Sequence, residues 1–274
     1  GLLTFRQLRR PHTAVYPGIW VPRDADLSAR QYAVAAWLWS RRKGVPAGLS
    51  ASALLGARWI DPELPAELVH TNRRAPPGIV VHRDELGAEE TQLASGIRGT
   101  TPARTAFDLG RRLPLAQGVQ RIDALMNATG VKVGDIEQVM AAHSGARGSR
   151  QLRQTLDFVD GGAESPYESV TRLVLVQHGY PPLDTQLEVL DEHGRIFARI
   201  DMGWREYRVG VDSEGAQHWT DPRQRNWDVE RYARLAELGW IDVRVTSGML
   251  FNRRQVFLDR VGAALLSRGC PKTW

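Results

Sequence analysis

The sequence predicts two domains of mixed α and β structure, the first over residues 1–145 and the second over residues 146–274. The chain has 274 residues, whereas single domains usually span roughly 100 to 200 residues. Strand-like and helix-like apolar patterns follow one another in both halves. Between the halves, HSGARGSR at 143–150 replaces a helical pattern with Gly, Ser and Arg, which offer no side chains for a core. We therefore place the boundary there.

The first half reads as a mixed α+β domain that begins with a reduced winged-helix-like segment. The opening LTFRQLRR favours a short basic helix, and Ser28 is placed to cap a longer helix that buries Val34 and Leu38. A further helix starts near Thr101 and Pro102 and runs through TAFDLGRRL. The predicted extended stretches are AVYPGIWVP at 14–22, AELVHT at 66–71 and GIVVHR at 78–83.

The second half follows the order αβββαβα. A helix is predicted from Ser165 to near His178, another over 225–238, and a last one after Asn252. The predicted strands are TQLEVL at 185–190, RIFARIDM at 195–202, YRVGVDSE at 207–214 and WIDVRVT at 240–246. A three-strand meander followed by a helix and a returning strand predicts a mixed central sheet flanked by helices, with a right-handed crossover.

Three carboxylates fall close together in the predicted hairpin RIDMGWREYRVGVDSEGAQHW at 199–219. If the chain reverses within Trp204 to Tyr207, antiparallel pairing places Asp201 opposite Asp212, and alternation puts Glu214 on the same face as Asp212. Such a group favours Mg²⁺ or Mn²⁺, which prefer oxygen ligands. The alternative is that each acid is solvated at a strand end or paired with a nearby Arg such as Arg199.

Glu168 has two interpretations. In SPYE, Ser165 stands at an N-cap, Pro166 at the first helical position and Glu168 three residues after the Ser, which is the pattern of a capping box. A helix that begins just before the meander also aims Glu168 at the same sheet edge as the hairpin carboxylates. The two roles are compatible with each other.

The second half resembles the very-short-patch-repair-like endonuclease branch of the PD-(D/E)XK nuclease superfamily. The resemblance covers 163 to near 250, through ESPYES, GYPPLDTQ, ARIDMGW, VGVDSEGAQHW, WDVERYARLAELGW and DVRVTS. It implies a restriction-endonuclease-like fold in which a divalent ion polarises a phosphodiester and activates water. The implied metal ligands are Asp201, Asp212, Glu168 and Glu214, and His218 is the implied proton donor.

Gln186 and Arg231 also fall on family positions. The residues predicted to contact nucleic acid are Gln186, Arg199, Arg231 and Arg244. Arg231 also stands three residues after Asp228 on the predicted helix, so an ion pair along the helix face explains it equally well. The superfamily places a Lys where this chain has Glu214. Either Glu214 is a further metal ligand and His218 or an Arg replaces the Lys, or the active site is degenerate.

The first half resembles the antitoxin-like domain of type IV toxin and antitoxin systems. The matching stretches are VYPGIWVPRD, GLSASALLGARW, GIVVHRDEL and GTTPARTAFDLG. This resemblance implies a protein partner for the first domain. Arg104 and Thr105 stand in the last motif, where we expect them to hold a turn and a helix start.

Composition narrows the classes of partner. A formal net charge of +5 and a sequence pI near 9.7 favour encounter with nucleic acid. No uninterrupted apolar stretch approaches the roughly 20 residues of a membrane span. The opening lacks the order of a secretory signal, and a single Cys270 forms no internal disulfide, which fits a cytoplasmic protein.

Three hypotheses about function follow. The first is a metal-dependent endonuclease that hydrolyses phosphodiester bonds, of DNA rather than RNA, with the first domain guiding the choice of substrate or partner. The second is a regulator of antitoxin type that binds nucleic acid and whose nuclease-like domain has lost catalysis, as Glu214 would indicate. The third is a stand-alone interaction module.

Overall fold

A computed structural model of the chain describes residues 4–72, 74–214 and 222–274. The chain divides into two compact units, unit 1 at Gly1–Gly161 and unit 2 at Gly162–Trp274. Each combines helices with small sheets, so the predicted mixed α and β class is confirmed. Across the three described ranges, no helix is long and apolar enough to cross a membrane.

Unit 1 alternates helices with short strands. Its helices are α1 (Phe5–Arg9), α2 (Ala29–Trp39), α3 (Gly48–Leu54), α4 (Pro102–Arg112), α5 (Leu115–Thr129), α6 (Val133–Ala142) and α7 (Ser149–Leu156). Its strands are β1 (His12–Tyr16), β2 (Ile19–Pro22), β3 (Val45–Pro46), β4 (Ala66–Val69), β5 (Ile79–His82), β6 (Thr91–Ala94) and β7 (Ile97–Thr100). Strands β1 and β2 form one hairpin, β6 and β7 another, and β3, β4 and β5 form a sheet in which β4 and β5 run parallel.

Side-chain caps begin two of the predicted helices of this unit, one at Ser28 and one at Thr101. The Ser28 side chain accepts a hydrogen bond from the Gln31 N–H at the start of α2, as the sequence predicts. Thr101 caps α4 in the same way by accepting from the Arg104 N–H, and Pro102 occupies the first helical turn, where its missing N–H costs nothing.

The C-terminal part of unit 1 is a packed group of helices. Phe107 of α4, Ile122 and Leu125 of α5 and Leu152 of α7 are buried in one apolar cluster. The unit therefore extends to Gly161, beyond the predicted boundary at 145, because α7 packs against α4 and α5. The glycine-containing segment before α7 is a turn between helices of one unit.

Unit 2 is built on a four-stranded sheet of order β11-β10-β9-β8. Its elements are α8 (Pro166–Gln177), β8 (Asp184–Leu190), β9 (Ile196–Trp204), β10 (Val209–Glu214), α9 (Pro222–Glu237), β11 (Ile241–Thr246), α10 (Ser247–Asn252) and α11 (Arg254–Ser267). Neighbouring strands are antiparallel except β10 and β11, which are parallel, so the predicted mixed sheet is present. The predicted nuclease-type fold goes further than this element order and is not confirmed by it.

Two apolar clusters pack helices of unit 2 against its sheet. One joins Met202 and Val211 of the central strands to Phe257 and Val261 of α11. The other joins Ile200 of β9 to Leu235 of α9. The sheet is thus covered by helices, and the polar residues of the predicted site lie where β8, β9 and β10 approach the start of α8 and the middle of α9.

Candidate functional site

The structure brings together the two aspartates of the predicted hairpin. The register pairs Met202 with Val211, which sets Asp201 beside Asp212. The Asp201 N–H donates to Asp212 Oδ1 at 3.0 Å, and the Ser213 N–H donates to Asp201 Oδ2 at 2.7 Å. Each carboxylate therefore accepts a backbone hydrogen bond from the opposite strand.

Glu168 is buried in the first turn of α8. Ser165 Oγ accepts from the Glu168 N–H at 3.2 Å, so the predicted N-cap is present. Glu168 Oε2 accepts from the Glu164 N–H at 2.8 Å and from Gln186 Nε2 at 2.9 Å. Burial raises the pKa of Glu168 above its ordinary value. The predicted capping box is thus only half formed, because Ser165 caps α8 but the Glu168 carboxylate accepts from the Glu164 N–H and not from the Ser165 N–H. The bond from Gln186 of β8 places this carboxylate beside the sheet, as the second interpretation expects.

The arginines predicted to contact nucleic acid in unit 2 pair with the unit's own acids. An Arg231 guanidinium nitrogen lies 2.6 Å from Asp212 Oδ2, and Arg231 also donates to the Arg199 carbonyl at 3.0 Å. Arg244 lies 3.1 Å from Glu214 Oε1. The third pair is Arg199 with Glu164, at 2.8 Å. These cations neutralise carboxylates, which is the alternative that the sequence left open.

Burial and crowding of like charges change the protonation of this group. Burial first, and then the neighbouring Asp212 and Glu168, raise the pKa of Asp201 to about 8. Asp242, a single acid in a strand, was not predicted as a site residue, yet burial and Asp212 raise its pKa to about 7. Among the described residues, neither Asp242 oxygen has a hydrogen-bond partner. Burial and the crowding of like charges therefore favour the protonated forms of Asp201 and Asp242.

The cluster fits a divalent ion poorly. Among residues 4–72, 74–214 and 222–274, no group of three or more His, Cys, Asp or Glu side chains is arranged to hold a metal ion. The physical reason is that oxygens of Asp201, Asp212 and Glu168 face protein N–H groups or a guanidinium. The Mg²⁺ or Mn²⁺ ion stays a prediction that this geometry does not favour. His218 lies outside the described residues.

A second polar cluster, which the sequence did not predict, lies inside unit 1. Arg104 of α4 is buried, with 1% of its surface exposed. Its guanidinium donates to Glu90 Oε2 at 2.5 Å, to Asp108 Oδ2 at 3.1 Å and to the Glu85 carbonyl at 2.9 Å. A buried cation is tolerated only when it is paired and hydrogen-bonded in this way. Arg104 thus ties the segment before β6 to α4.

Other charges extend this cluster. Asp84 pairs with Arg111 and Arg112, and Asp108 pairs with the same two arginines from one turn earlier on α4. His143 at the end of α6 hydrogen bonds to Glu90. We call the set Asp84, Glu90, Arg104, Asp108, Arg111, Arg112 and His143 the Arg104 network.

The sequence contained part of the signal for this network. Arg104, Asp108, Arg111 and Arg112 stand at spacings of three and four, which places their side chains together on a helix. Thr105 holds the turn before α4, as expected, because its hydroxyl lies 2.7 Å from the Thr100 hydroxyl. Asp84, Glu90 and His143 come from other segments, and only the tertiary structure shows that they join.

Comparison with known proteins places unit 1 in a described group. Residues 28–158 match the family described as AbiEi antitoxin C-terminal domain. One uncharacterized protein from each of two Mycobacterium tuberculosis strains, CDC 1551 and H37Rv, is 34% identical over 198 residues, which cover 70% of this chain and 72% of the relative. No solved structure is significantly similar to the chain.

These findings correct the prediction of an enzyme. The antitoxin-like resemblance of the first half is confirmed, whereas the nuclease resemblance of the second half finds no support among the relatives. The prediction of a metal-dependent endonuclease is therefore wrong. The order αβββαβα misled because an arrangement of elements is shared by proteins with unrelated activities.

Proposed function

Because this chain belongs to the same family as its two mycobacterial relatives, and its residues 28–158 match an antitoxin domain, we propose that it is a regulator of antitoxin type. In this role it neutralises a toxin protein and binds nucleic acid. This was the second hypothesis from the sequence.

The observation that carries the proposal is the extent of the antitoxin match. The matched range begins at Ser28, the residue that caps α2, and ends at Phe158, just after α7. It therefore contains the apolar cluster around Phe107 and the whole Arg104 network. A match over a complete core supports a shared fold and role better than a match to one motif would.

The positive charge of the chain supports the proposed binding of nucleic acid. The chain has a formal net charge of +5. Unit 1 carries exposed basic side chains, among them Arg42, Lys43 and Arg98. Phosphate contacts made by such groups release counterions, so affinity falls steeply as salt rises.

The toxin half of the proposal is tested by co-expression. Each gene that neighbours the one encoding this chain is expressed alone and together with it, and growth is measured. We expect one neighbour to arrest growth and this chain to relieve the arrest. Arg104→Gln, which disrupts the core of the antitoxin-like unit, should lose the relief. A neighbour whose toxicity persists at equal levels of this chain would contradict the proposal.

The nucleic-acid half is tested by fluorescence anisotropy with a labelled DNA duplex and the full chain. We expect the logarithm of the binding constant to fall linearly with the logarithm of salt concentration between about 50 and 200 mM. A chain that leaves the anisotropy of duplex DNA unchanged at the lowest salt would contradict this half, and the toxin half would stand on the growth assay.

A further inference from the structure

Helix α2 ends in a cap made by two consecutive arginines. The Arg41 N–H donates to the Leu38 carbonyl at 2.9 Å, and the Arg42 N–H donates to the Trp37 carbonyl at 3.0 Å. These are the two bonds of a Schellman motif, in which the residue after the cap is usually Gly. Here Arg41 and Arg42 have φ angles of 56° and 64°.

The left-handed conformation of Arg41 and Arg42 costs free energy, and side-chain hydrogen bonds of Ser40 stabilise it. A left-handed conformation costs a residue with a side chain roughly 1–2 kcal/mol. Ser40 fixes the turn, because its Oγ donates to the Trp37 carbonyl at 2.6 Å and accepts from the Gly44 N–H at 2.9 Å. Strain of this kind tends to persist at functional sites. We call residues 40–44 the basic turn.

A cavity of about 330 Å³ lies beside the basic turn. The charged residues in its lining are Arg42 and Lys43 from the turn and Arg98 from β7, and no carboxylate lines it. Arg98 is positioned by a 2.9 Å hydrogen bond from its Nε to Thr91 Oγ1, and the Arg42 guanidinium lies 5.5 Å from the Trp37 ring centre. Across the part of the chain that the structure describes, no ion pair joins these three cations to an acid.

A second cavity, of about 520 Å³, shares Lys43 with the first. Arg83 and His70 also line it. Its one acid, Asp84, is already paired with Arg111 and Arg112 of the Arg104 network. The second cavity, like the first, therefore carries a surplus of positive charge.

The helix dipole explains only part of this arrangement. Cations near the C-terminus of α2 offset its negative end by about 0.3–1 kcal/mol each. That effect accounts for Arg41 and Arg42. It does not account for Arg98 or Arg83, which come from other segments and line the same two cavities. Concave clusters of unpaired cations concentrate anions.

We infer that the cavities beside the basic turn bind phosphate groups of a nucleic-acid backbone. This inference rests on the proposed function and locates its nucleic-acid contact. Arg42 and Arg98 offer guanidinium groups that match phosphate oxygens in pairs, and Lys43 stands between the two cavities. A strand whose successive phosphates occupy the two cavities would use all of these cations.

The test compares two double variants of the full chain that lose the same charge. Lys43→Gln with Arg98→Gln removes two cavity cations. Arg150→Gln with Arg153→Gln removes two exposed cations of α7 that line neither cavity. Thermal melts establish that both variants fold, and anisotropy with duplex DNA is then measured across the salt range used above.

We expect the cavity variant to bind at least about 10-fold more weakly than the control variant, with its salt slope reduced by about one to two. Equal losses in the two variants would overturn the inference while leaving the proposed function in place. Failure of the unaltered chain to bind DNA would instead remove the nucleic-acid half of the proposed function.

Calorimetry with inorganic phosphate separates nucleic acid from a free phosphate as the source of the ligand. We expect no saturable heat at millimolar phosphate, because a single phosphate contacts the cations of only one cavity and therefore binds too weakly to saturate the site. Saturable binding of inorganic phosphate that duplex DNA does not displace would overturn the inference. So would a cavity variant that binds DNA normally but no longer relieves toxicity, since that result would identify an acidic protein as the ligand.

Discussion

Arg104 is a buried cation whose partners come from several segments of unit 1. Removing one partner of a buried ion pair leaves the other charges unpaired and costs about 3–5 kcal/mol. We therefore expect Arg104→Met to lower the free energy of unfolding of the chain by an amount in that range. Arg104→Lys should also be destabilising, because an ammonium cannot reach Glu90, Asp108 and the Glu85 carbonyl together.

Urea unfolding followed by circular dichroism measures this effect. The matched control is Arg153→Met, since Arg153 is exposed on α7 and surface changes are usually within about 0.5 kcal/mol. If Arg104→Met and Arg153→Met unfold at the same urea concentration, the Arg104 network does not stabilise the unit.

The raised pKa of Asp201 should make the stability of unit 2 fall as pH rises. Burial and neighbouring acids raise its pKa from 3.8 to about 8 in the folded chain. The unfolded state therefore loses this proton at lower pH than the folded state, and the stability contributed by the protonated form is lost as pH rises from about 4 to about 8. Asp201→Asn keeps the shape and removes the titration.

We expect the melting temperature of the unaltered chain to fall more than that of Asp201→Asn between pH 5 and pH 9, values that bracket roughly the folded pKa. The control is Asp191→Asn, because the Arg195 N–H holds the pKa of Asp191 below its ordinary value. The contribution of the Asp191 carboxylate to stability is lost only at acid pH, so Asp191→Asn should leave the change in melting temperature between pH 5 and pH 9 unaltered. Parallel pH profiles for Asp201→Asn and the unaltered chain would contradict the assignment.

Sequence reasoning located residues better than it located their partners. The pairing of Asp201 with Asp212 followed from a short turn and the two-residue period of strands. The sequence does not predict the burial of Asp242, because this burial depends on the packing of α9 and on the sheet register. Whether these acids would meet a metal or Arg231 could not be read from spacing, since both neutralise a carboxylate.

At the scale of elements, α4 and α7 approach closely at Gly110. A methyl group at this position would overlap Leu152 Cδ1 and lie 3.1 Å from Ile122 Cδ1. Overpacking of this kind costs about 1–3 kcal/mol. Gly110 lies inside α4, where Ala is preferred over Gly by about 1 kcal/mol, and this preference offsets part of the cost. We therefore expect Gly110→Ala to lower the free energy of unfolding by up to about 2 kcal/mol.

A double-variant cycle identifies the contact. Leu152→Ala alone should cost about 2–5 kcal/mol by leaving a cavity. Combined with Gly110→Ala, the added methyl partly fills that cavity, so the loss measured by urea unfolding should be smaller than the sum. Additive losses would mean that the two side chains do not share the same space.

Elements were easier to predict than the boundary between units. The Ser28, Thr101 and Ser165 caps marked helix starts that the structure contains. The turn before α7 resembled a linker because its sequence, HSGARGSR, is rich in Gly, Ser and Arg. In the structure its Gly145 and Gly148 adopt φ angles of 87° and 89°. Turns inside a unit and linkers between units both use such residues, and only the burial of Leu152 separates the two cases.

At the scale of the whole molecule, each unit has its own apolar clusters, so each should fold alone. We expect fragments 1–161 and 162–274 each to show a cooperative thermal transition by circular dichroism. Both are large enough for a core, since single domains fold at about 60 residues and above. A fragment 162–274 with no cooperative transition would show that its clusters do not suffice for independent folding.

The parallel pairing of β10 with β11 has a consequence during protein synthesis. Domains fold from the N-terminus as the chain emerges, so unit 1 is complete while unit 2 is still being made. Until the ribosome passes Thr246, β10 has no partner on one side, although Val209 and Val211 belong to a buried core. Open apolar edges recruit other strands. A stop codon between α9 and β11 would therefore release a folded antitoxin-like unit joined to an aggregation-prone remnant.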